Sequence, residues 1–334
     1  MSEYLVDIQH ERLSFFTPAG EVKALNDVSI HLNDGEVLGI VGESGSGKSV
    51  TAYSLMGLTA YPGKLVGGTI DFNGHRINDL SEKEFRKIRG NEVSIIFQDP
   101  MTSLNPVYTI GNQIMEVILL HTDKNKEQAR ARAKELLELV GINEPEKRLK
   151  QYPHELSGGM RQRVMIAIAL ACEPKLLIAD EPTTALDVTI QAQILQLLKQ
   201  LNETEHMNII LITHDLGVVA SLAKRIEVMY GGLIMEEGTT EEIFENPTHP
   251  YTRALLHAIP KCESGCRERL EPIPGMAPSL ANPPEGCPFV TRCKFACEEC
   301  KKEVPPMRSY SETQSSRCIF TKEELDEQEK KGEK

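Results

Sequence analysis

One short glycine-rich string constrains this chain more than any other feature. Residues 42–49 read Gly-Glu-Ser-Gly-Ser-Gly-Lys-Ser and directly follow an apolar run, 37–41. Sequence of helical character follows, up to Leu58, so the string lies between a predicted buried strand and a predicted helix. In that context successive backbone N–H groups point into a concavity at the positive end of the helix, where phosphate oxygens bind. The string therefore predicts a phosphate-binding loop.

The residue types of this loop each suit a contact with a nucleotide. Gly42 and Gly47 allow torsions and a close approach that a β-carbon would block. Lys48 offers an ammonium group to the β- and γ-phosphates, and Ser49 offers a hydroxyl group to Mg²⁺. The predicted nucleotide contacts in this segment are Gly42, Glu43, Ser44, Gly45, Ser46, Gly47, Lys48, Ser49 and Val50.

Two adjacent carboxylates follow a second apolar stretch. Asp180 ends the run that begins at Leu176, and Glu181 comes next. A carboxylate at the carboxyl end of a central strand lies beside the phosphate loop in doubly wound sheets, so we expect Asp180 to hold Mg²⁺ through water. Glu181 can orient or deprotonate an attacking water molecule. Together with the glycine-rich loop, this pair predicts nucleotide hydrolysis.

Length, charge and hydropathy narrow the class of protein. A chain of 334 residues is long enough for two domains, and its net charge of −12 argues against a general nucleic-acid binder. Residues 1–20 are too rich in charged and polar groups for a signal peptide. No apolar run approaches the length of about 20 residues that a membrane-spanning helix needs. We therefore expect a cytosolic protein, or one peripheral to the cytosolic side of a membrane.

The order of apolar runs predicts an α/β fold with a mainly parallel core sheet. Residues 4–41 alternate apolar and polar side chains, as in antiparallel strands with one wet face. Residues 67–75 predict another strand that ends in an Asn-Gly turn. From residue 164 to Glu245, helical and apolar strand patterns alternate, and beyond Glu245 frequent prolines predict a separate, loop-rich segment. Tight turns in a closing hairpin are predicted at Gly231, Gly232 and Gly238.

A third string, residues 156–162, reads Leu-Ser-Gly-Gly-Met-Arg-Gln and lies between the two nucleotide motifs. In this order the three motifs resemble those of ATP-binding subunits of ABC transporters, over residues 4–245. The resemblance implies an ABC-type P-loop domain at 1–245, with an antiparallel β subdomain and a helical subdomain at about 100–165. A small cysteine-containing domain would then occupy 246–334. The resemblance also implies ATP, Mg²⁺ and ATPase activity.

The same resemblance assigns roles to residues whose types alone would not reveal them. Gln98 matches a glutamine that contacts Mg²⁺ or water, and His214 matches a histidine that contacts the γ-phosphate. Either Phe15 or Phe16 is expected to stack on adenine, and the sequence leaves that choice open. The string 156–162 forms a second phosphate cradle that closes on the ATP of a partner subunit, and Ala185-Leu186-Asp187 matches a loop that crosses to the partner's site. The residues implied on this partner-facing side are Ser157, Gly158, Gly159, Gln162 and Asp187.

Two patterns in the C-terminal part point to one branch of the family. Residues 246–256 resemble the extension of the oligopeptide, dipeptide and nickel uptake ATPases. The cysteines resemble those of the dipeptide-type subunit, where they can hold a 4Fe–4S cluster, at Cys287, Cys293, Cys300 and Cys318. Four thiolates also suit zinc, and unliganded thiols stay open as a third interpretation. Cys297, Cys262 and Cys266 are expected to be spare, and Cys172 to be a packed core thiol.

The leading hypothesis is an ATPase subunit that energises import of dipeptides and oligopeptides through a membrane permease. An extracytoplasmic solute-binding protein would feed that permease, and a second ATPase subunit, favoured by the resemblance to be a paralogue, would complete the nucleotide sites. A nickel or other small-solute importer is the alternative within the same class. A soluble ABC ATPase that acts on ribosomes or DNA is the alternative of another class, and the acidic charge argues against it.

Overall fold

The chain divides into two units whose segments interleave along the sequence. The computed structural model describes residues 4–184, 186–259 and 273–332. The first unit takes its described residues from 4–32, 38–78 and 213–332, and the second unit takes them from 33–37 and 79–212. Each unit is built from segments distant in sequence, so long-range packing defines both of them.

Strands dominate the start of the chain, and helices alternate with strands later. The strands are β1 (Val6–Thr17), β2 (Gly20–Leu32), β3 (Val37–Val41), β4 (Gly63–Phe72), β5 (His75–Arg76), β6 (Val93–Ile96), β7 (Leu176–Asp180), β8 (Asn208–Thr213), β9 (Arg225–Tyr230), β10 (Leu233–Thr239), β11 (Arg308–Ser309) and β12 (Ser315–Ser316). The helices are α1 (Lys48–Leu55), α2 (Glu82–Ile88), α3 (Pro100–Ser103), α4 (Ile110–His121), α5 (Lys126–Leu139), α6 (Pro145–Arg148), α7 (Gly158–Ala169), α8 (Val188–Glu205), α9 (Leu216–Ala220), α10 (Thr240–Glu245), α11 (Pro250–His257) and α12 (Lys322–Gly332). No helix in the described part of the chain is both long and apolar enough to cross a bilayer.

The alternating residues at the start of the chain form an antiparallel sheet in the first unit. Its strand order is β2-β1-β4-β5, with Leu13 opposite Leu25 and Ile8 opposite Ile70. Most apolar side chains of β1 and β2 are buried and most of their polar neighbours are at least partly exposed, as expected for a sheet with one wet face. Asn73 follows β4 with a φ of 47°, in the turn that leads into β5. The predicted antiparallel strands and the Asn-Gly turn are confirmed.

The first unit also contains a mixed set of strands that carries the phosphate loop. β3 pairs with β9 in parallel, β9 pairs with β10 in an antiparallel hairpin, and β10 pairs with β12. Gly231 and Gly232 make the hairpin turn with φ values of 59° and 77°, as predicted. Gly238 was predicted to lie in a turn, and that prediction is wrong because its backbone pairs with Ile226 inside β10. A Cβ at Gly238 would make an ordinary contact of 3.4 Å with Gln314, so nothing in the structure requires glycine at this position.

The second unit contains parallel strands and most of the helices. β7 pairs in parallel with both β6 and β8, and the side chains of β7 are all buried, as in a sheet covered on both faces. The helical region predicted over 110–140 is divided into α4 and α5, because Asn125 caps the start of α5 by accepting from the backbone N–H groups of Glu127 and Gln128. The predicted apolar face of α5 is buried at Ala129, Ala133, Leu136 and Leu137.

The C-terminal segment, described at residues 246–259 and 273–332, packs on β10 through a buried carboxylate. Glu236 has no solvent exposure. It accepts hydrogen bonds from the backbone N–H and hydroxyl groups of Thr248 at 2.7 and 2.8 Å, from the N–H of His249 at 3.0 Å, and from Gln314 Nε2 at 3.1 Å. A buried carboxylate with this many donors fixes the groups that surround it.

The end of the C-terminal segment is tied down by an arginine on α11. Arg253 forms ion pairs with Asp326 at 2.8 Å and with Glu329 at 3.1 Å, both on α12. Leu325, from the same helix, is fully buried. The buried Leu325, the two ion pairs and a hydrogen bond from Lys322 Nζ to Asn246 Oδ1 at 2.6 Å therefore all hold the charged helix α12.

Candidate nucleotide-binding site

The glycine-rich loop joins β3 to α1 in a conformation that requires glycine. Gly42 and Gly47 have φ values of 155° and 110°, which side-chain-bearing residues rarely adopt. A Cβ at Gly42 would overlap the backbone oxygen of Met229, and one at Gly47 would lie 2.8 Å from the side chain of Leu25. Helix α1 starts at Lys48, so its first N–H groups face the loop. The strand, loop and helix predicted from the sequence are confirmed.

The lysine of the loop is enclosed and bridges two carbonyl groups. Lys48 is 5% exposed, and its Nζ donates to the carbonyl oxygens of Gly42 at 2.7 Å and Glu43 at 2.9 Å. Its ammonium group therefore lies across the loop at the positive end of α1. The remaining predicted contacts of the loop differ in exposure. Ser44 and Gly45 are exposed, Ser46 is buried, and Ser49 and Val50 are half-buried.

Glu43 is attached to side chains that sequence reasoning did not single out. Its backbone N–H donates to the hydroxyl group of Tyr251 at 3.0 Å. Its carboxylate accepts from Arg292 Nη1 at 2.7 Å and from Nη2 at 3.1 Å. Tyr251 and Arg292 lie in the C-terminal segment, far from the loop along the chain, and no pattern in the sequence links them to it.

In the second unit, the structure brings together the two catalytic candidates Gln98 and Glu181. Gln98 Nε2 donates to Glu181 Oε2 at 2.8 Å, and the hydroxyl of Thr184 donates to the same oxygen at 2.9 Å. The N–H of Glu181 donates to the carbonyl of Ile212 at 2.8 Å. Asp180, the last residue of β7, is 1% exposed. Thr184 is a further member of this group that was not predicted.

Glu181 has an unusual backbone conformation. Its φ is 47°, which costs on the order of 1 kcal/mol for a residue with a β-carbon. Such strained residues cluster at functional sites, where the surrounding hydrogen bonds enforce the conformation. The positive φ and the side-chain contacts fix where the Glu181 carboxylate points.

The partner-facing candidates lie near each other on the second unit. Ser157 caps the start of α7 by accepting from the N–H of Met160 at 3.3 Å, and Asp187 caps α8 by accepting from the N–H of Ile190 at 2.9 Å. A Cβ at Gly159 would lie 3.1 Å from Ile190, so the two helix starts pack together. Ser157, Gly158 and Asp187 are exposed where the two helices begin. Ala185 lies outside the described residues.

Gln162 has a different environment from the rest of its motif. Its side chain is 1% exposed, and its Nε2 donates to the carbonyl oxygen of Pro182 at 2.7 Å. The amide is thus enclosed, next to the segment that follows Glu181. The sequence pattern places Gln162 among the nucleotide contacts and gives no sign of this link.

The remaining nucleotide candidates are in the first unit. His214 directly follows β8 and is exposed. Phe16, on β1, is 46% exposed, whereas Phe15 is half-buried and packs against Gly63 of β4. The rings differ in accessibility, and Phe16 is the more open to a base in solution.

Four cysteines of the C-terminal segment line one cavity. They are Cys287, Cys293, Cys300 and Cys318. Burial raises the pKa of Cys287 and of Cys293 to about 12 and that of Cys318 to about 11, so without a ligand these groups are protonated thiols at neutral pH.

Metal binding by these cysteines does not follow from the structure. Among the described residues, no set of three or more His, Cys, Asp or Glu side chains is arranged to hold a metal ion. The metal-binding part of the sequence prediction is thus not supported by the side-chain geometry. Cys297 lies beside the four, with its sulfur 3.7 Å from that of Cys300. Cys172 is half-buried in the second unit, and Cys262 and Cys266 lie outside the described residues.

Comparison with known families gives two matches along the chain. A family model described as ABC transporter matches residues 25–184. A second model, described as Oligopeptide/dipeptide transporter, C-terminal region, matches residues 235–300. The first match includes the phosphate loop and the Asp-Glu pair, and the second includes Tyr251 and Arg292.

Curated relatives match almost the whole chain. The oligopeptide transport ATP-binding protein OppD of Bacillus subtilis (strain 168) is 55% identical over 310 residues, which cover 92% of this chain and 87% of that protein. The dipeptide transport ATP-binding protein DppD of Escherichia coli (strain K12) is 50% identical over 316 residues, with 95% and 96% covered.

Solved structures match about 70% of the chain. The dimeric post-hydrolysis structure of the ATP-binding cassette MJ0796, bound to ADP and Pi, is 31% identical with a TM-score of 0.65 and covers 70% of this chain and 98% of that one. The predicted P-loop α/β fold class is thereby confirmed, while the domain boundary at residue 245 stays a prediction. The chain belongs to the OppD/DppD family of ABC transporter ATP-binding proteins, and it is an ATPase with the ABC cassette fold.

Proposed function

We propose that this chain hydrolyses ATP to energise the import of dipeptides and oligopeptides through a membrane permease. One observation carries the choice of peptide as the solute. Identity of 50% or more to the oligopeptide and dipeptide transport ATP-binding proteins extends over at least 92% of the chain, and the family-specific match reaches residue 300. Loss of labelled-peptide uptake in a strain that lacks this chain tests the proposal, and loss of nickel uptake alone would overturn it.

The phosphate loop is the proposed binding place for the triphosphate of ATP. Backbone N–H groups of the loop after Glu43 donate to the phosphate oxygens, as helix N-termini and concave loops do in general, while the N–H of Glu43 keeps its bond to Tyr251. Lys48 then exchanges its two carbonyl partners for the β- and γ-phosphates. Ser49 contributes a hydroxyl oxygen and Asp180 a carboxylate oxygen, which are the donor types that Mg²⁺ prefers.

Adenine stacking is assigned to one of the two phenylalanines of β1. Aromatic rings offer a flat apolar face to a base, and such stacking is worth about 1–3 kcal/mol in nucleic-acid binding proteins. The exposure of Phe16 favours it as the stacking ring, whereas Phe15 already packs against Gly63. His214 follows β8 and is assigned to the γ-phosphate by its match to the family motif.

Glu181 is the proposed base that activates the attacking water. Gln98 and Thr184 both donate to the same carboxylate oxygen of Glu181, Oε2. These two hydrogen bonds orient the carboxylate. The buried side chain of Gln162 holds the carbonyl of Pro182, so we assign it a positioning role next to the base. Charge that develops on the γ-phosphate is offset by Lys48 and by Mg²⁺ when bound.

The second phosphate cradle is proposed to serve a partner subunit. Ser157 and Gly158 are exposed at the N-terminus of α7, where backbone N–H groups attract anions. Asp187 starts α8 beside them, and the next residue, Val188, is 82% exposed. An exposed anion-binding surface with an exposed apolar neighbour suits closure on the nucleotide of another ATPase subunit. We take that subunit to be a paralogue.

Contact with the permease is assigned to the helical part of the second unit. Large apolar side chains are exposed in this part and would be better buried against a partner. They are Phe97 (38%), Val107 (73%), Tyr108 (52%), Leu119 (41%) and Leu120 (73%). A permease-bound ATPase lies at the cytoplasmic side of the membrane as a peripheral subunit, and the solute-binding protein meets the permease on the other side.

A 4Fe–4S cluster is the proposed ligand of the C-terminal cysteines, with zinc as the alternative. The four thiols share one cavity although they are widely spaced in sequence, and cysteine thiolates are the usual ligands of such clusters. A single ion needs its sulfur ligands at about 2.3 Å from one point, and the described residues offer no such arrangement. The support for a cluster is therefore the resemblance of the cysteine pattern together with the shared cavity.

We expect anaerobically purified protein to be brown and to contain about four irons per chain. Replacing Cys318 by serine should destabilise the cluster and lower the iron content, because one of its four thiolate ligands is removed. Cys172→Ser, in the second unit, is the matched control and should leave iron unchanged. Iron and zinc analysis with visible and EPR spectra decides the question, and colourless protein with one zinc per chain would refute the cluster.

A further inference from the structure

The second residue of the phosphate loop is held by the C-terminal segment at both its backbone and its side chain. The N–H of Glu43 donates to Tyr251, and the two carboxylate oxygens of Glu43 accept separately from the two terminal nitrogens of Arg292, at 2.7 and 3.1 Å. Such two-point pairing between arginine and a carboxylate fixes orientation as well as distance. The C-terminal segment therefore constrains the loop directly.

Arg292 is itself rigidly placed. Its side chain is 5% exposed. Its Nε donates to the carbonyl of Pro274 at 2.9 Å, Nη2 donates to the carbonyl of Ile273 at 3.3 Å, and Nη1 donates to the hydroxyl of Tyr230 at 3.0 Å. Nη1 and Nη2 thus each have a second protein partner in addition to Glu43, and Nε is bonded to a carbonyl group. An enclosed and fully bonded arginine loses little further freedom in its ion pair, unlike a surface arginine.

The charge of Glu43 matters because of what the loop must bind. A carboxylate within a phosphate loop repels a triphosphate, and the repulsion is strong where the surroundings are partly buried. The guanidinium group of Arg292 is always positively charged and lies 2.7 Å from that carboxylate, so it offsets the negative charge of Glu43. The carbonyl of Glu43 also accepts from Lys48 at 2.9 Å, so a shift of Glu43 would disturb the lysine that meets the phosphates.

The arginine is presented by a turn of the cysteine-bearing region. The N–H groups of Arg292 and Cys293 both donate to the carbonyl of Phe289 at 3.0 Å, and Phe289 is 2% exposed. Phe289 also packs edge-on against Tyr230 with ring centroids 5.4 Å apart. The position of Arg292 thus depends on the packing of the C-terminal segment and not on the loop alone.

We propose that Arg292 is a positioning residue for ATP binding, which holds Glu43 in place and offsets its negative charge so that the loop accepts a triphosphate. The inference rests on the proposed binding of ATP at this loop. It makes the C-terminal segment part of the nucleotide-binding apparatus. The residue acts through Glu43, so its removal should weaken ATP binding far more than it slows the chemical step.

The test compares Arg292→Gln, Glu43→Gln and the double variant in the complete transporter complex. Arg292→Gln should raise KM and Kd for ATP about tenfold, the effect of leaving one partly buried carboxylate unpaired, with kcat within about twofold of wild type. The double variant no longer carries the uncompensated charge, so its KM should return to within about threefold of wild type. High salt should shrink the defect of Arg292→Gln, since screening weakens charge repulsion.

Arg253→Gln is the matched control for the region. Arg253 also joins two carboxylates of the C-terminal segment and donates to the carbonyl of Pro247. These three partners all lie outside the phosphate loop, so KM for ATP should not change. An Arg292→Gln variant with normal KM would overturn the inference, and so would a double variant as impaired as Arg292→Gln with no salt dependence. If wild type itself bound no ATP, the proposed function would fail instead.

Discussion

Replacing Glu181 with glutamine is expected to abolish ATP turnover while leaving ATP binding nearly intact. Gln has almost the same shape, so the bonds from Gln98 and Thr184 to the Oε2 position can persist in part. The amide cannot accept a proton from water, and a general base contributes about 10²–10⁴-fold to a rate. We expect kcat to fall by at least about 100-fold. Phosphate release and nucleotide binding by the same preparation measure the two effects separately.

The control for this substitution is Glu203→Gln on α8. Glu203 is exposed and lies 4.0 Å from Lys199 in a surface ion pair, which contributes little to stability. The ATP turnover of the Glu203→Gln variant should match that of wild type. Hydrolysis by Glu181→Gln within about threefold of wild type would show that another group activates the water.

Lys48→Ala is expected to remove ATP binding and, with it, hydrolysis. The ammonium group of Lys48 is enclosed in the loop and donates to two of its carbonyl oxygens. The substitution removes the charge that meets the phosphates and also a cross-link within the loop. Charge-assisted hydrogen bonds are worth about 1.5–3 kcal/mol each, so affinity should fall by at least about tenfold for each phosphate group that the ammonium would have bound.

Titration with a fluorescent ATP analogue measures this decrease in affinity. Lys199→Ala removes a lysine of the exposed pair on α8 and should bind as wild type does. Affinity of Lys48→Ala within about twofold of wild type would place the triphosphate elsewhere in the protein.

The local motifs were predictable from the sequence because their chemistry is confined to consecutive residues. The glycines of the loop and the apolar runs of β3 and β7 define their own conformations, so the loop lies where it was predicted, and helix α1 begins one residue before the predicted start at Ser49. The contact between Gln98 and Glu181 joins residues 83 positions apart. The sequence assigned both residues to the nucleotide site, Gln98 through the family resemblance and Glu181 through the apolar run before it, but it did not predict their direct contact.

Other contacts were not predictable because they arise from tertiary packing. Tyr251 and Arg292 reach Glu43 across 208 and 249 residues, and neither residue type marks a nucleotide site by itself. Thr184 and the enclosed side chain of Gln162 likewise owe their roles to neighbours brought in by folding. Gly238 was misplaced because a glycine inside a strand has the same sequence signal as a glycine in a turn.

The cysteines of the C-terminal segment were predictable as a group, whereas their geometry was not. The resemblance of their pattern to that of the dipeptide-type subunits implied that four of them act together, and the structure places those four around one cavity. Spacing cannot say whether the sulfur atoms can surround one ion, because that depends on side-chain geometry. Among the described residues they do not, so the identity of a ligand depends on chemical analysis of the protein.

The central claim is that ATP hydrolysis by this chain drives peptide import. ATP-dependent uptake of a labelled peptide should be measured in liposomes that contain the complete transporter, with wild type or Glu181→Gln in place of this subunit. Wild type is predicted to accumulate peptide only when ATP is on the side of the ATPase, and the variant is predicted to accumulate none while still binding ATP. Equal accumulation with both proteins, or accumulation without ATP, would contradict the account.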